Sequence, residues 1–297
     1  MALDIEINQK GLFKKELILS DITGGKYKYG VLDSAWRLDE GSLDGETIIF
    51  YDPLHIGRGV EVEWKSGIKD KLKLRMPLPA TIYDIDMLFD IVKRVAKKWN
   101  AKTFIQDDVP CDIKDVDDIV MQHKQMSHSW LAGIKNSLND SETSIMFCVM
   151  WPLELRTDTL SEFGRNKDAE GFASYLHRLQ AVDLYYAAPR IYKLNDKEYF
   201  GAYAITATTG SIIPITPSAP TLAVDPNTGG PLECSKYVVS LVSIQDNGVI
   251  GRISYEDFAE AVQVDSLTRF DETHVVLELS EESIHEIARN YPDPLEG

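Results

Sequence analysis

Residues 59–99 read GVEVEWKSGIKDKLKLRMPLPATIYDIDMLFDIVKRVAKKW, and this stretch decides the fold class. Gly59–Trp64 alternates apolar and charged residues, and Lys69–Met76 does so again. A period of two marks a strand with one buried face. Lys65-Ser66-Gly67-Ile68 between them reads as a hairpin connection, with a glycine suited to positive φ. Pro77 and Pro79 punctuate the chain, and the period then changes. Ile85, Leu88, Phe89, Val92, Val95, Ala96 and Trp99 recur at spacings of three and four, which predicts one apolar face of a helix over Ile82–Trp99. Thr81 with Asp84 is a weaker variant of the capping box that opens such a helix.

Outward from this core the same signals repeat. Leu3–Ile7 and Thr47–Tyr51 read as further strands, and a twisted antiparallel meander is the simplest arrangement of the first third. Thr103–Ile105 is a short strand. Asp107, Asp108, Asp112, Asp115, Asp117 and Asp118 lie ahead of or inside a second helix running to about Leu138. Ser144–Met150 reads as a buried strand stopped by Pro152, and Ala169–Val182 as a helix. Strands are expected at Asp183–Ala187, Arg190–Lys193 and Tyr199–Thr206, with Leu194–Lys197 as a turn. Residues 207–235, ATTGSIIPITPSAPTLAVDPNTGGPLECS, are rich in proline, threonine and glycine; they read as a long connection and a poor central strand. Tyr237–Ser243, Val249–Ile253 and His274–Leu279 are strand-like. Ser254 with Asp257 caps a short helix through Val262, and Ser280 opens a last helix carrying Ile284, Ile287 and Ala288. Strands and helices without strict alternation predict an α+β protein with antiparallel or mixed β-sheets and packed helices. Two intimately associated halves, 1–140 and 141–297, are the expected division, the second containing the 207–235 segment.

The chain has 297 residues and a net charge of −16. That charge is graded: residues 1–100 hold 16 Lys/Arg against 16 Asp/Glu, whereas residues 201–297 hold 4 against 15. Such a field disfavours nucleic acid and anionic membrane and favours a partner with a basic surface. The N-terminus lacks the features of a secretory signal. The longest apolar run, Ile145–Trp151, falls far short of the ~20 residues of a spanning helix. Cys111, Cys148 and Cys234 form no disulfide or zinc pattern, so a reducing cytoplasm is the expected location.

Few residues suggest chemistry. His55-Ile56-Gly57-Arg58-Gly59 is the best polar cluster: Arg58 could hold an anionic group and His55 could act as acid or base. The alternative is a loop entering a strand, with Arg58 paired to an acid such as Asp52. His123 and His128 lie about 140° apart on a helix and cannot form an i, i+4 metal pair; His177, His274 and His285 are isolated. The aspartates at 107–118 lack calcium-loop spacing. Lys65, Lys69, Lys71, Lys73 and Arg75 read as a solvated strand face, or an edge guarded by lysine. Lys93, Arg94, Lys97 and Lys98 complement the negative end of a helix dipole. Tyr185, Tyr186, Tyr192, Tyr199 and Tyr203 read as packing residues. No phosphate loop, nucleophile elbow or metalloprotease helix is present, and no metal or cofactor is expected.

The segments YGVLDSAWRLDEG (Tyr29–Gly41) and YDPLHIGRGVEVEW (Tyr51–Trp64) resemble those of an uncharacterised family, mostly from Gram-positive bacteria, whose single domain of unknown function fills the chain. The resemblance implies a bacterial, intracellular protein and carries no activity or site residue. Three functions follow as expectations: a cytoplasmic non-catalytic binding or regulatory protein using its acidic C-terminal surface, immunity-like in one version; an enzyme or small-molecule binder with a pocket near His55–Gly59; and a scaffold subunit of a homo-oligomer.

Overall fold

The computed structural model describes residues 1–139, 141–194, 198–220, 222–226 and 228–295. The chain gathers into two compact units, Met1–Ala181 and Val182–Gly297.

The first unit contains, in order, β1 (Ala2–Asn8), α1 (Leu19–Thr23), β2 (Lys28–Leu32), β3 (Leu38–Glu40), β4 (Thr47–Tyr51), β5 (Val60–Glu63), β6 (Lys71–Pro77) and α2 (Ile82–Trp99). There follow β7 (Thr103–Gln106), β8 (Val109–Asp112), α3 (Val116–Ala132), α4 (Ile134–Ser137), β9 (Thr143–Phe147), β10 (Pro152–Arg156), α5 (Thr157–Asn166) and α6 (Ala169–Gln180). β1 to β8 form an eight-stranded antiparallel sheet in the order β3-β2-β4-β5-β6-β1-β7-β8. Leu3, Ile5 and Ile7 of β1 and Leu72, Leu74 and Met76 of β6 point to one face. There they meet Ile85, Leu88, Phe89, Val92, Val95 and Trp99 of α2 in a single buried cluster. Each large apolar side chain so buried contributes about 1.5–3 kcal/mol.

Helix α2 keeps the expected bounds because both ends are specified locally. Thr81 Oγ1 accepts from Asp84 N at 3.1 Å, while Asp84 Oδ2 accepts from Thr81 N at 3.1 Å. At the other end Asn100 takes a left-handed φ of 54°. The strand order is less local. β1, the first strand of the chain, enters between β6 and β7, so β6 is central and its lysines guard no edge.

Two expectations about this unit are corrected. Asp107 and Asp108 take φ of 45° and 66° between the paired residues Gln106 and Val109. They form the two-residue turn of the β7–β8 hairpin, where both central residues need positive φ; only Asp115, Asp117 and Asp118 stand at the start of α3. Pro152 opens β10 rather than merely ending a strand over Ser144–Met150, a position where a missing N–H is tolerated. The division near residue 140 falls inside this unit, although Asp140 itself lies outside the described residues. On either side of it, α3 and α5 pack so closely that a Cβ at Gly164 would strike the backbone of Ala132 and His128.

The second unit contains β11 (Tyr185–Tyr186), β12 (Arg190–Lys193), β13 (Tyr199–Thr206), β14 (Ser211–Pro214), β15 (Lys236–Ser243), β16 (Gly248–Ser254), α7 (Tyr255–Ala261), β17 (Thr268–Arg269), β18 (His274–Leu277) and α8 (Glu281–Asn290). Two four-stranded sheets result, β12-β13-β15-β16 and β11-β14-β18-β17. Each is mixed, because β13–β15 and β11–β14 run parallel. Helices α7 and α8 pack on β15 and β16. Tyr203, Leu241, Ile253, Phe258, Val275 and Ile284 belong to its core. The turn expected at Leu194–Lys197 lies outside the described residues beyond Leu194. The proline-rich 207–235 segment is not wholly irregular: Ser211-Ile212-Ile213-Pro214 is buried as a central strand. Its proline sits last, where the ladder tolerates it. The architecture is α+β, with antiparallel and mixed sheets and packed helices.

Candidate functional site

The loop His55–Gly59 is built from the backbone outward. Asp84, buried at the first turn of α2, accepts hydrogen bonds from the backbone N–H groups of Arg58 (3.0 Å), Gly59 (2.9 Å) and Thr81, and from the Thr81 hydroxyl (2.8 Å). A Cβ at Gly57 would collide with that carboxylate, which is why glycine stands there. His177 Nδ1 accepts from Ile56 N at 3.0 Å, and Gln180 Nε2 donates to the Gly57 carbonyl at 2.9 Å. The loop is thereby tied to α2 and α6.

Arg58 and His55 part company in this loop. Arg58 turns inward and is 8% exposed. Its Nε donates to the Phe147 carbonyl (3.1 Å) and Nη1 to the Pro79 carbonyl (3.3 Å). Burial lowers its pKa, opposed by Cys148, Asp84 and Glu61. The carboxylates that act on Arg58 are those of Asp84 and Glu61, not the Asp52 suggested by sequence proximity. Burial pushes the Asp84 carboxyl up, while its hydrogen-bond donors pull the other way. Burial also pushes the adjacent Cys148 thiol up to about 12, far from the thiolate a nucleophile needs. His55 turns outward, stacks on Tyr83 at 3.6 Å between centroids, and places Nδ1 3.4 Å from Asp52 Oδ2. The guanidinium and the imidazole therefore do not converge on one ligand position.

The outer face of the eight-stranded sheet is a charged surface. Its basic strand β6 lies between the acidic strands β1 and β5. Arg75 Nη1 lies 3.3 Å from Asp4 Oδ1, Lys73 Nζ 2.9 Å from Glu63 Oε1, and Lys71 Nζ 2.7 Å from Glu6 Oε2. An open groove of about 680 Å³ crosses this face past Asp4, Glu6, Glu61, Lys73, Arg75 and Asp107. Burial raises the Glu61 pKa against the pull of Arg75 and Arg58. The alternating lysines thus answer acids across the ladder and form no basic stripe for nucleic acid.

Several other residues named from the sequence are paired or packed. Lys93 pairs with Asp117 (2.5 Å), Arg94 with Asp90 (3.3 Å) and Lys98 with Asp21 (3.1 Å). His123 is buried, stacks on Phe89 and has its pKa lowered by burial. The three cysteines are free. Tyr203 donates to the Ser218 carbonyl at 3.1 Å, and Tyr255 to that of Pro214, so these hydroxyls hold the proline-rich segment against the core. One constellation escaped the sequence reading. His274 Nδ1 lies 2.9 Å from Asp271 Oδ1, and its Nε2 lies 3.1 Å from the Tyr186 hydroxyl. Asp271 also accepts from the backbone of Thr273 and His274, so the group clasps the turn into β18. The Asp-x-x-His spacing was its only sequence signal. Among the described residues no group of three His, Cys, Asp or Glu side chains is placed to hold a metal ion, and no helix is long and apolar enough to cross a membrane.

The acidic end of the chain differs in kind. Glu256 and Glu260 on α7, Asp265 after it, Glu278 after β18, and Glu282 and Glu286 on α8 are all exposed. Asp246 pairs with His285 at 3.0 Å, and Asp293 with Arg252 at 3.2 Å.

Over residues 2–287 the sequence matches the family described as Domain of unknown function (DUF4299), and the chain belongs to that family. Comparison with curated proteins and with solved structures returns no match.

Proposed function

We propose that this chain is a cytoplasmic bacterial binding protein without catalysis, whose second unit engages a partner with a basic surface. One observation carries the reading. Among the described residues, Glu256, Glu260, Asp265, Glu278, Glu282 and Glu286 are exposed and take part in no ion pair. Glu256/Glu260 and Glu282/Glu286 are like charges four residues apart on their helices, an arrangement that costs about 0.2–0.5 kcal/mol per pair. A helix surface shaped for stability alone would place lysine at one position of each pair. Retained repulsion fits a surface whose compensation arrives with a cationic partner, which such a field also steers to it. An immunity-like role against a basic toxin is one form of this reading. The engagement of Arg58 by backbone carbonyls supports it over a pocket at His55–Gly59.

The test is capture on the immobilised full chain at low and high salt, alongside the variant E256K/E260K/E282K/E286K. A partner retained at about 0.1 M salt and lost at about 1 M, where the Debye length falls from about 10 Å to about 3 Å, is the expected result. It should also fail to bind the variant. No partner at low salt, or one that binds the variant equally, would overturn the proposal.

A further inference from the structure

A different surface, in the first unit, points to a second kind of contact. The connection leaving β1 reads Lys10-Gly11-Leu12-Phe13-Lys14-Lys15. Leu12 is 97% exposed and Phe13 is 95% exposed, more than any other large apolar side chain among the described residues. Scattered single apolar residues on a surface need no explanation. Two adjacent ones on a fixed support do.

The support is built from core residues. Buried Gln9 accepts from Lys15 N at 2.7 Å and donates through Nε2 to the carbonyl of Lys15 at 2.8 Å and to that of Lys69. Trp99 Nε1 donates to the same Lys15 carbonyl at 2.8 Å. Gly11 takes a φ of 106°, which L side chains rarely adopt, so the bend at the tip depends on glycine. The neck closes on itself and holds the apolar pair out in solvent. Lys10, Lys14 and Lys15 flank it with no acid within the six residues. Lys14 pairs with Asp70 and the following Glu16 with Lys69, while Lys10 and Lys15 form no ion pair among the described residues.

We propose that residues 10–15 are a membrane-contact finger, which places Leu12 and Phe13 in the interfacial region of an anionic lipid surface while the lysines meet its headgroups. Long basic side chains can lay their stems along apolar surface and keep the ammonium at the headgroup level. A lysine collar on both sides of the tip matches a plane of uniform negative charge. The charge of −16 on the whole chain disfavours anionic membrane in general. At physiological ionic strength, however, screening acts over about 8 Å, so the charge local to the tip decides this contact. The inference is independent of the acidic surface of the second unit and fails or stands on different variants.

The experiment is co-sedimentation of the full chain with vesicles of phosphatidylcholine plus phosphatidylserine, compared with phosphatidylcholine alone. The chain should bind the anionic vesicles. L12S/F13S should weaken binding by about tenfold or more, as expected for removing two apolar anchors. Its melting temperature should not change, because both side chains already stand in water. K10S/K15S should weaken binding and flatten its salt dependence. No binding to anionic vesicles at low salt, equal binding by L12S/F13S, or equal binding to neutral vesicles would each overturn the proposal. Loss of a captured protein by L12S/F13S in the absence of vesicle binding would overturn it too, assigning the tip to a protein pocket.

Discussion

The outer sheet face of the first unit and the helices α7 and α8 of the second are both crowded with charge, but the charges are organised in opposite ways. On the sheet, a basic strand runs between two acidic ones and Lys71, Lys73 and Arg75 each have a carboxylate partner. On the helices, glutamates repeat at four-residue spacing and, among the described residues, take part in no ion pair. The count of charges therefore says less about partners than their pairing. A paired ladder is largely spent on its own fold. An unpaired face leaves its field uncompensated.

The largest effect that would sharpen this contrast is expected beneath the sheet. Asp84→Ala removes the acceptor shared by Arg58, Gly59 and Thr81 and leaves a buried guanidinium without its neighbouring carboxylate. Each buried donor left unsatisfied costs about 1–3 kcal/mol, and three backbone N–H groups and a hydroxyl lose their acceptor together. Urea unfolding should show that loss; a change under 1 kcal/mol would mean the loop is not held as described. In the second unit, His274→Ala removes the ring that both Asp271 and Tyr186 bind. It should cost about 1–3 kcal/mol by the same measurement.

Reversing a charge in the ladder should matter less. Arg75→Glu, a half-exposed position facing Asp4 and Glu61, should destabilise by about 1 kcal/mol or less, because exposed pairs are weak. The ladder also predicts the response to acid. Hydrogen bonds from Lys71 and Asn8 lower the Glu6 pKa, and those from Lys28 and Tyr51 lower that of Glu40. Both side chains therefore hold protons more weakly folded than unfolded. Their contribution is complete above about pH 4.3, the ordinary glutamate value, and is lost as pH falls through their lower folded values. Unfolding of E6Q followed from pH 6 to pH 3 should be less pH-sensitive than that of the parent chain.

The smallest effect carries the opposite sign. Glu260→Lys and Glu286→Lys replace repulsion by attraction on α7 and α8 and should leave the melting temperature unchanged or slightly raised, by a few tenths of a kcal/mol. If these substitutions destabilise by as much as Arg75→Glu, the acidic helices are structural after all and the contrast between the two faces collapses.

Much of the architecture was legible in the sequence. The seven apolar residues assigned to the face of α2 are all buried, and Thr81–Asp84 caps it as the spacing indicated. Ser254 and Ser280 open α7 and α8 in the same way. The short apolar run Ser211–Pro214 was obscured by the prolines around it, and the Asp107–Asp108 turn by the acidic composition it shares with a helix start. Of the His55–Arg58 cluster, the presence of the loop was readable. The inward turn of Arg58 was not, since its carbonyl acceptors, Pro79 and Phe147, lie far along the chain.

The amino-acid sequence alone determined what depends on a few neighbouring residues: strand and helix periods, caps, the inner and outer faces of β1, β6 and α2, and the acidic end. Those signals act within one or two turns of backbone. Tertiary structure alone decided that β1 lies between β6 and β7, that Asp84 anchors the loop before β5, and which charges are paired. These features join residues far apart in the chain, and a period or a cap carries no record of which distant segment comes to lie beside it.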